Sequence, residues 1–256
     1  MIITLTTDFG LSDPFVGIMK GVILGIAANV ELVDISHDIR SYDTLEAAFI
    51  LESAYRYFPK ETVHVVVVDP GVGSARRPIA AAANGHRFVA PDNGVLSFLL
   101  QNATAYHITN DRLFLKSVSR TFHGRDIFAP VAAQLGRGLP IESVGPQIFD
   151  AYRKAPPLPR VDDGKIGGAV LTIDKFGNVI TNLRREHIPP DFRIRMNGSS
   201  ITRLCASFSE GKPGEVFAIE GSTGFIELAM NQNSAAERLK VERGAEFEVE
   251  TSSANQ

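Results

Sequence analysis

Three aspartates stand directly behind apolar runs, where side chains able to do chemistry gather at the edge of an α/β sheet. Asp8 closes Ile2 to Asp8 in TTDFG, Asp69 closes Val63 to Asp69 in VVVVDPGVG, and Asp92 follows Phe88 to Ala90 in APDNG. Carboxylates meeting over one sheet edge bind hydroxyls or metals, or move protons. The competing account is turn formation, which weighs most on Asp92. The segment DPGVGSARRP, Asp69 to Pro78, has the glycines of a dinucleotide fingerprint, but Arg76 takes the third glycine position and Pro78 opens no helix. That excludes both the fingerprint and a Walker loop. The glycines read as loop formers that permit a tight return, carrying Arg76 or Arg77 back to Asp69, where an ion pair would hold the carboxylate ionised. In SRTFHGRDIFAP, His123 sits in a loop just before a helix; His37 and His64 also lie near the sheet, and position alone does not choose among them. No HExxH, CxxC or GxSxG is present, so zinc hydrolysis, thiol redox and serine esterase chemistry lack their usual signatures. In the second half, IDKFGNVITN supplies Asp174 for an ammonium, Asn178 for the edge of a base and Phe176 as a stacking face, with Phe208 as another. EGSTGFIELAMNQ adds small polar groups. A β-turn at FGN and core phenylalanines account for the same residues structurally.

The elements that must position these groups alternate. Apolar residues at 15, 18, 19, 22, 23 and 26 predict a helix over 14–28, and Val30 to Ser36 a strand. Thr44 to Phe58 reads as a helix capped by Asp43, with Glu46 three residues on. The run VHVVVVD suits an interior parallel strand covered on both faces. Arg87 to Ala90 (strand), Gly94 to Asn102 (helix), Tyr106 to Thr109 (strand) and Asp126 to Leu135 (helix) follow. The pattern is doubly wound α/β with a mostly parallel sheet. At APPLPR and VDDG the character changes, which predicts an N-terminal α/β domain over 1–154, a linker over 155–164 and a C-terminal domain over 165–256. The downstream segments are short and strand-like: 168–173, 179–183, 192–197, 201–208, 216–219, 225–229 and 247–250. They predict a smaller β-barrel-like fold. The tail SSANQ is expected to fray.

Composition narrows the class. The chain has 256 residues, 44% hydrophobic and 21% charged, enough for one large core or two small ones. With Lys+Arg 26 against Asp+Glu 29 the net charge is -3, which argues against a nucleic-acid or anionic-membrane partner. One cysteine, Cys205, and an N-terminus without signal-peptide pattern predict a cytoplasmic protein. Apolar stretches break well short of the roughly 20 residues of a bilayer span.

TTDFG, DPGVGSARR, APDNG, TFHGRD, IDKFGN and GSTGFIELA stand in an order that resembles one family from Ile2 to about Glu250. The chain resembles the S-adenosyl-L-methionine (SAM) hydrolases (adenosine-forming), or SAM hydroxide adenosyltransferases, relatives of the SAM-dependent fluorinating and chlorinating enzymes. The resemblance implies a homotrimer with SAM, the substrate, bound between neighbouring subunits; no cofactor is expected, and the mechanism does not require a metal. It places the water-activating set on Asp69, Arg76 and His123 and ribose binding on Asp8. It further implies that Asn178 reads adenine between Phe176 and Phe208, and that Asp174 and Ser222, with Asp13 a lesser member, hold the methionine end. Where halogenating relatives often carry arginine beside the matched serine, this chain has Thr223. Attack by water at the ribose C5′ must end in loss of a proton, whereas attack by halide need not, so a basic set favours water. Methionine leaves as a neutral thioether and needs no general acid.

Three alternatives remain on the residues: a SAM-dependent halogenase, a noncatalytic SAM or adenosine sensor, and a metal-dependent nucleoside hydrolase. The last would release free base and fail with a chelator, yet Asp8 and Asp13 stand five apart without the neighbouring acids of a calcium cage.

Overall fold

The computed structural model describes residues 1–154, 156–162 and 165–251. The chain divides into two compact units, Met1–Ala155 and Pro156–Gln256. Of the expected linker, positions 155, 163 and 164 lie outside the described residues, as does the tail SSANQ.

The first unit runs β1 (Ile2–Thr7), α1 (Phe15–Ile26), β2 (Glu31–Ser36), α2 (Thr44–Ala54), β3 (Val63–Val67), β4 (Pro78–Ala83), β5 (His86–Pro91), β6 (Thr104–His107), α3 (Ala129–Gly136) and β7 (Gln147–Ile148). Its sheet has the order β2-β1-β3-β5-β4-β6-β7. The β2, β1, β3 and β5 strands pair in parallel, and each later neighbour reverses direction. Two reversals return β6 to the direction of β5, so five of the seven strands point one way. The β3 strand is buried throughout because both its faces are covered. Val63, Val65 and Val67 pack into one core with Met19 and Ile23 of α1, while Val66 and Val68 pack into another with Ala47 and Leu51 of α2. Asp43 caps α2 as its position predicts, accepting from the backbone of Leu45 and Glu46 at 3.1 and 3.0 Å.

Three elements differ from expectation. Pro78–Ala83 is a strand, joined to β5 by the turn Asn84-Gly85 with φ of 53° and 78°, the left-handed pair that a two-residue hairpin requires. Residues 94–102 form successive tight turns instead of an α-helix: Ser97, Leu99 and Asn102 donate to the carbonyl three residues back. The helix expected from Asp126 opens as a π-helical turn, Gly124–Phe128, before α3.

The second unit contains β8 (Arg160–Asp162), β9 (Lys165–Ile173), β10 (Val179–Arg184), β11 (Phe192–Met196), β12 (Ser199–Ile201), β13 (Leu204–Cys205), β14 (Val216–Glu220), β15 (Phe225–Met230), α4 (Ala235–Leu239) and β16 (Glu246–Thr251). The nine strands among its described residues form one curled half-barrel sheet in the order β12-β11-β16-β9-β10-β15-β14-β13, with β8 also on β9. The strand expected over 201–208 is broken; Phe208–Glu210 is a 3-10 turn. Among the described residues no helix is long and apolar enough to cross a membrane.

Candidate active site

Parallel pairing of β1 with β3 sets Thr7 opposite Val67, so the chain leaves both strands at one sheet edge, carrying Asp8 and Asp69. A cavity of about 420 Å³ opens there, lined by Asp8, Asp13, Asp69 and His123 with Phe15 and Phe122. Phe9, Phe15 and Phe122 pack edge to face at centroid distances of 5.3 to 5.9 Å and form an apolar wall. Asp8 accepts from the backbone of Tyr42 at 2.8 Å, which ties the end of β1 to the segment before α2.

The glycine loop returns Arg76 to Asp69. Arg76 Nε donates to both carboxylate oxygens at 2.9 Å, and Nη2 also meets Oδ2. The same Nη2 donates to His123 Nδ1 at 2.8 Å. The side chains of Arg76 and Asp69 are 9% and 5% exposed, so this pair works largely out of water. Arg76 also lies 5.1 Å above the Phe128 ring. Arg77 goes elsewhere: pairing of Pro78 with Pro91 sets it beside Asp92, to which it donates at 3.0 and 2.7 Å, and it reaches Asp150 at 2.9 Å. Asp92 additionally accepts from the Tyr152 backbone at 2.7 Å. Asp92 therefore ties Arg77 to the Tyr152 segment, and Arg76 is the arginine that returns to Asp69 and His123.

The contact to His123 fixes its proton. A guanidinium has only donors, so Nδ1 must accept and the ring is the neutral tautomer with hydrogen on Nε2. Burial pushes the His123 pKa below its ordinary value, and the Arg76 charge pushes it further. The free edge of His123 is thus a donor. Among the three histidines near the sheet only this one reaches the cavity; His64 is buried beside Thr4 and His86, and His37 beside Thr7.

Two loops carry this set, and Gly73 locks them together. It has φ +74°, and a Cβ at that position would overlap the Arg120 carbonyl oxygen in the segment leading to His123. Gly73→Ala is expected to separate Arg76 from His123 and to lower kcat by about 100-fold, the cost of a misplacement near 1 Å. Steady-state kinetics alongside a thermal melt check this, since a folded variant at full rate would mean that the seam does not set the site.

The second unit holds the remaining expected residues. Asp174 Oδ1 accepts from the backbones of Phe176 and Asn178 at 2.8 and 2.9 Å, and its Oδ2 from the Asn178 side chain at 2.8 Å. These bonds close a tight loop around Gly177, φ +83°, and leave the Phe176 ring 78% exposed at its tip. The structure thus joins Asp174, Phe176 and Asn178 in one loop. Ser222 is exposed in the separate turn between β14 and β15, closed by Gly224 donating to Gly221 at 2.9 Å, and half-exposed Phe208 lies in its own 3-10 turn. Two residues that sequence reasoning does not single out are Tyr42, which also lines the first cavity, and Glu227, whose carboxyl burial pushes up and the Asp174 charge pushes up further. Tyr42 has positive φ, which no residue type announces; Glu227 sits within a strand motif where alternation hides it. Among the described residues no three His, Cys, Asp or Glu side chains stand close enough together to hold one metal ion.

Two family models match the sequence: the SAM hydroxide adenosyltransferase N-terminal domain over residues 3–145 and the C-terminal domain over residues 168–248. The protein named (R)-S-adenosyl-L-methionine hydrolase from Salinispora tropica is 37% identical across 96% of this chain and 97% of its own, and its namesake from Thermus thermophilus is 37% identical across 93% and 95%. A fluorinase from Nocardia brasiliensis is 29% identical across 97% and 96%. The crystal structure of an uncharacterized conserved protein from Thermotoga maritima superposes with a TM-score of 0.90 at 38% identity, covering 98% of this chain and all of that one.

Proposed function

The chain belongs to the SAM hydroxide adenosyltransferase family, and from that membership we propose that the cavity at the ends of β1 and β3 presents a water to the ribose C5′ of SAM. It is an enzyme, and its reaction is hydrolysis of SAM to adenosine and L-methionine. The observation that carries the residue assignment is the Arg76 bridge between Asp69 and His123. Water oxygen forms the bond to C5′ while the C5′–S bond breaks, its electron pair leaving with methionine as a neutral thioether. Attack makes the water a strong acid, so a carboxylate suffices as acceptor of its proton. Asp69 takes that role. His123, protonated on Nε2 by the geometry of its other nitrogen, donates to the water oxygen and aims its lone pair in line. Arg76 fixes both partners, and the Asp69 carboxylate disfavours chloride or fluoride in the position of the water.

Asp8 holds the ribose, and Asp13 is a lesser member of the group at the methionine end. Phe176 and Phe208 flank adenine, Asn178 reads its edge, and Asp174 with Ser222 holds the methionine end. The proposal includes a homotrimer in which neighbouring subunits share each site. Light scattering is expected to give three times the 27.8 kDa chain mass, and a fully active monomer would overturn the shared arrangement.

The deciding experiment incubates purified protein with SAM, with and without EDTA and chloride, and identifies products by mass spectrometry. Equal adenosine and methionine under all conditions is the expected result. A chlorinated nucleoside would move the chain to the halogenating branch, free adenine lost with EDTA would indicate a nucleoside hydrolase, and unchanged SAM would leave a sensor.

A further inference from the structure

One polar chain, buried at Thr7 and His37, reaches the cavity edge without taking part in the mechanism above. Thr7 Oγ1 lies 2.8 Å from His37 Nδ1, and His37 Nε2 lies 3.0 Å from Asp34 Oδ1 on β2. Asp34 in turn accepts from Lys20 of α1 at 2.6 Å. A hydroxyl, an imidazole and a carboxylate in series suggest a nucleophile, but Thr7 is fully buried and no substrate atom can reach it. The directions of the bonds point to another role. The Phe9 backbone donates to Thr7 Oγ1 at 3.3 Å, which leaves the hydroxyl hydrogen free to meet His37 Nδ1, while Nε2 lies beside Asp34 as a close electrostatic contact and not as a hydrogen bond. Burial acts to raise the Asp34 carboxyl, yet the hydrogen bond from Lys20 and the close approach of the His37 ring outweigh it and hold the group below its ordinary range. His37 also grips the same turn from its backbone, for its carbonyl accepts from Gly10 at 2.8 Å. Its side chain and main chain thus hold the turn on either side of Asp8 and Phe9.

We propose that His37, through Thr7 and Gly10, is a positioning residue that fixes Asp8 for the ribose hydroxyls. The inference rests on the SAM-hydrolase reading and on Asp8 as its ribose ligand. A rigid turn holds the carboxylate where the hydroxyls arrive, and a loosened one must be ordered at each binding event. The effect therefore falls on binding, while the Asp69, Arg76 and His123 set keeps its geometry.

The test is kinetic. His37→Phe is expected to raise KM for SAM about tenfold with kcat within about threefold, and to weaken inhibition by adenosine by the same factor. His37→Gln, which can still bond on one side, should recover part of the loss. Asp34→Asn, at the partly exposed far end, should raise KM about two- to threefold in a protein whose melt is unchanged. In an Asp8→Asn background the effect of His37→Phe on KM should vanish, because the residue acts through Asp8. A fall in kcat at constant KM, or a full tenfold effect in the Asp8→Asn background, would overturn the inference. If His37→Phe does not fold, Asp34→Asn with wild-type KM does the same. Wild-type protein that leaves SAM intact would instead sink the functional reading, so the two failures are distinct.

Discussion

Asp69→Asn is expected to lower kcat for SAM hydrolysis by about 10³-fold, within the range seen when a positioned base is removed, with KM changed little. The substitution keeps size and one acceptor oxygen but removes the charge. It also places an amide donor against Arg76, which has only donors to offer on that side, so the amide must turn its oxygen to the guanidinium and its nitrogen to the water. The water then faces two donors, the amide and His123 Nε2–H, and no acceptor for the proton it must lose. The ribose binding proposed for Asp8, whose recorded partner is the Tyr42 backbone and none of this trio, is expected to stay in place. Single-turnover and steady-state rates measured with a melting curve check the outcome. Full turnover in a folded Asp69→Asn protein would remove Asp69 from the mechanism and leave solvent as the proton acceptor.

The second large effect concerns stability in acid and comes from the opposite end of β3. His64 is fully buried, bonds to Thr4 Oγ1 at 2.8 Å, approaches His86 at 3.3 Å and stacks on Phe88 at 5.1 Å. Burial, then the His86 charge, push its pKa down to about 3 from 6.5. Between these values the unfolded chain binds a proton that the folded chain refuses. The stability is therefore whole above pH 6.5 and declines as pH falls to about 3, by about 5 kcal/mol in total and about 2 kcal/mol by pH 5. Since a whole domain is stable by about 5 to 15 kcal/mol, this one ring is a large part of acid sensitivity. Urea midpoints at pH 7.5 and pH 5 should differ more in the wild type than in His64→Gln, which cannot titrate there. Equal acid losses in the two proteins would show that the ring is charged in the fold or that other groups dominate.

Much of this site can be read in one dimension. Asp69 follows the most apolar strand, and such a strand must lie inside a sheet, so its end is a sheet edge. What the residues alone leave open is which arginine returns, because Arg76 and Arg77 are neighbours. The choice is made by the β4–β5 register, which commits Arg77 to Asp92. The β4 strand itself is masked by a run of alanines, residues with little strand preference, although Asn84-Gly85 is a hairpin signal. Residues 94–102 mislead in the other direction: Val95, Leu96, Leu99 and Leu100 have helical spacing, but they are apolar side chains of a turn sequence buried against the sheet. Spacing reports which face is buried, not which hydrogen bonds form beneath it. The tautomer of His123 and the partner of His37 depend on hydrogen-bond directions, which exist only once the chain is folded.

As the proposed SAM site, the cavity lined by Asp8, Asp13 and Asp69 also treats reactant and product unequally. The nucleoside arrives bearing a positive sulfonium and departs as neutral adenosine, while the charge it carried ends as a proton released to solvent. Fixed carboxylates draw the cation in and have no such hold on what is left, so turnover itself discharges the attraction that brought the substrate to the sheet edge. Clearance of the nucleoside product then needs no moving gate: the chemistry that breaks the C–S bond also cancels the long-range part of the affinity.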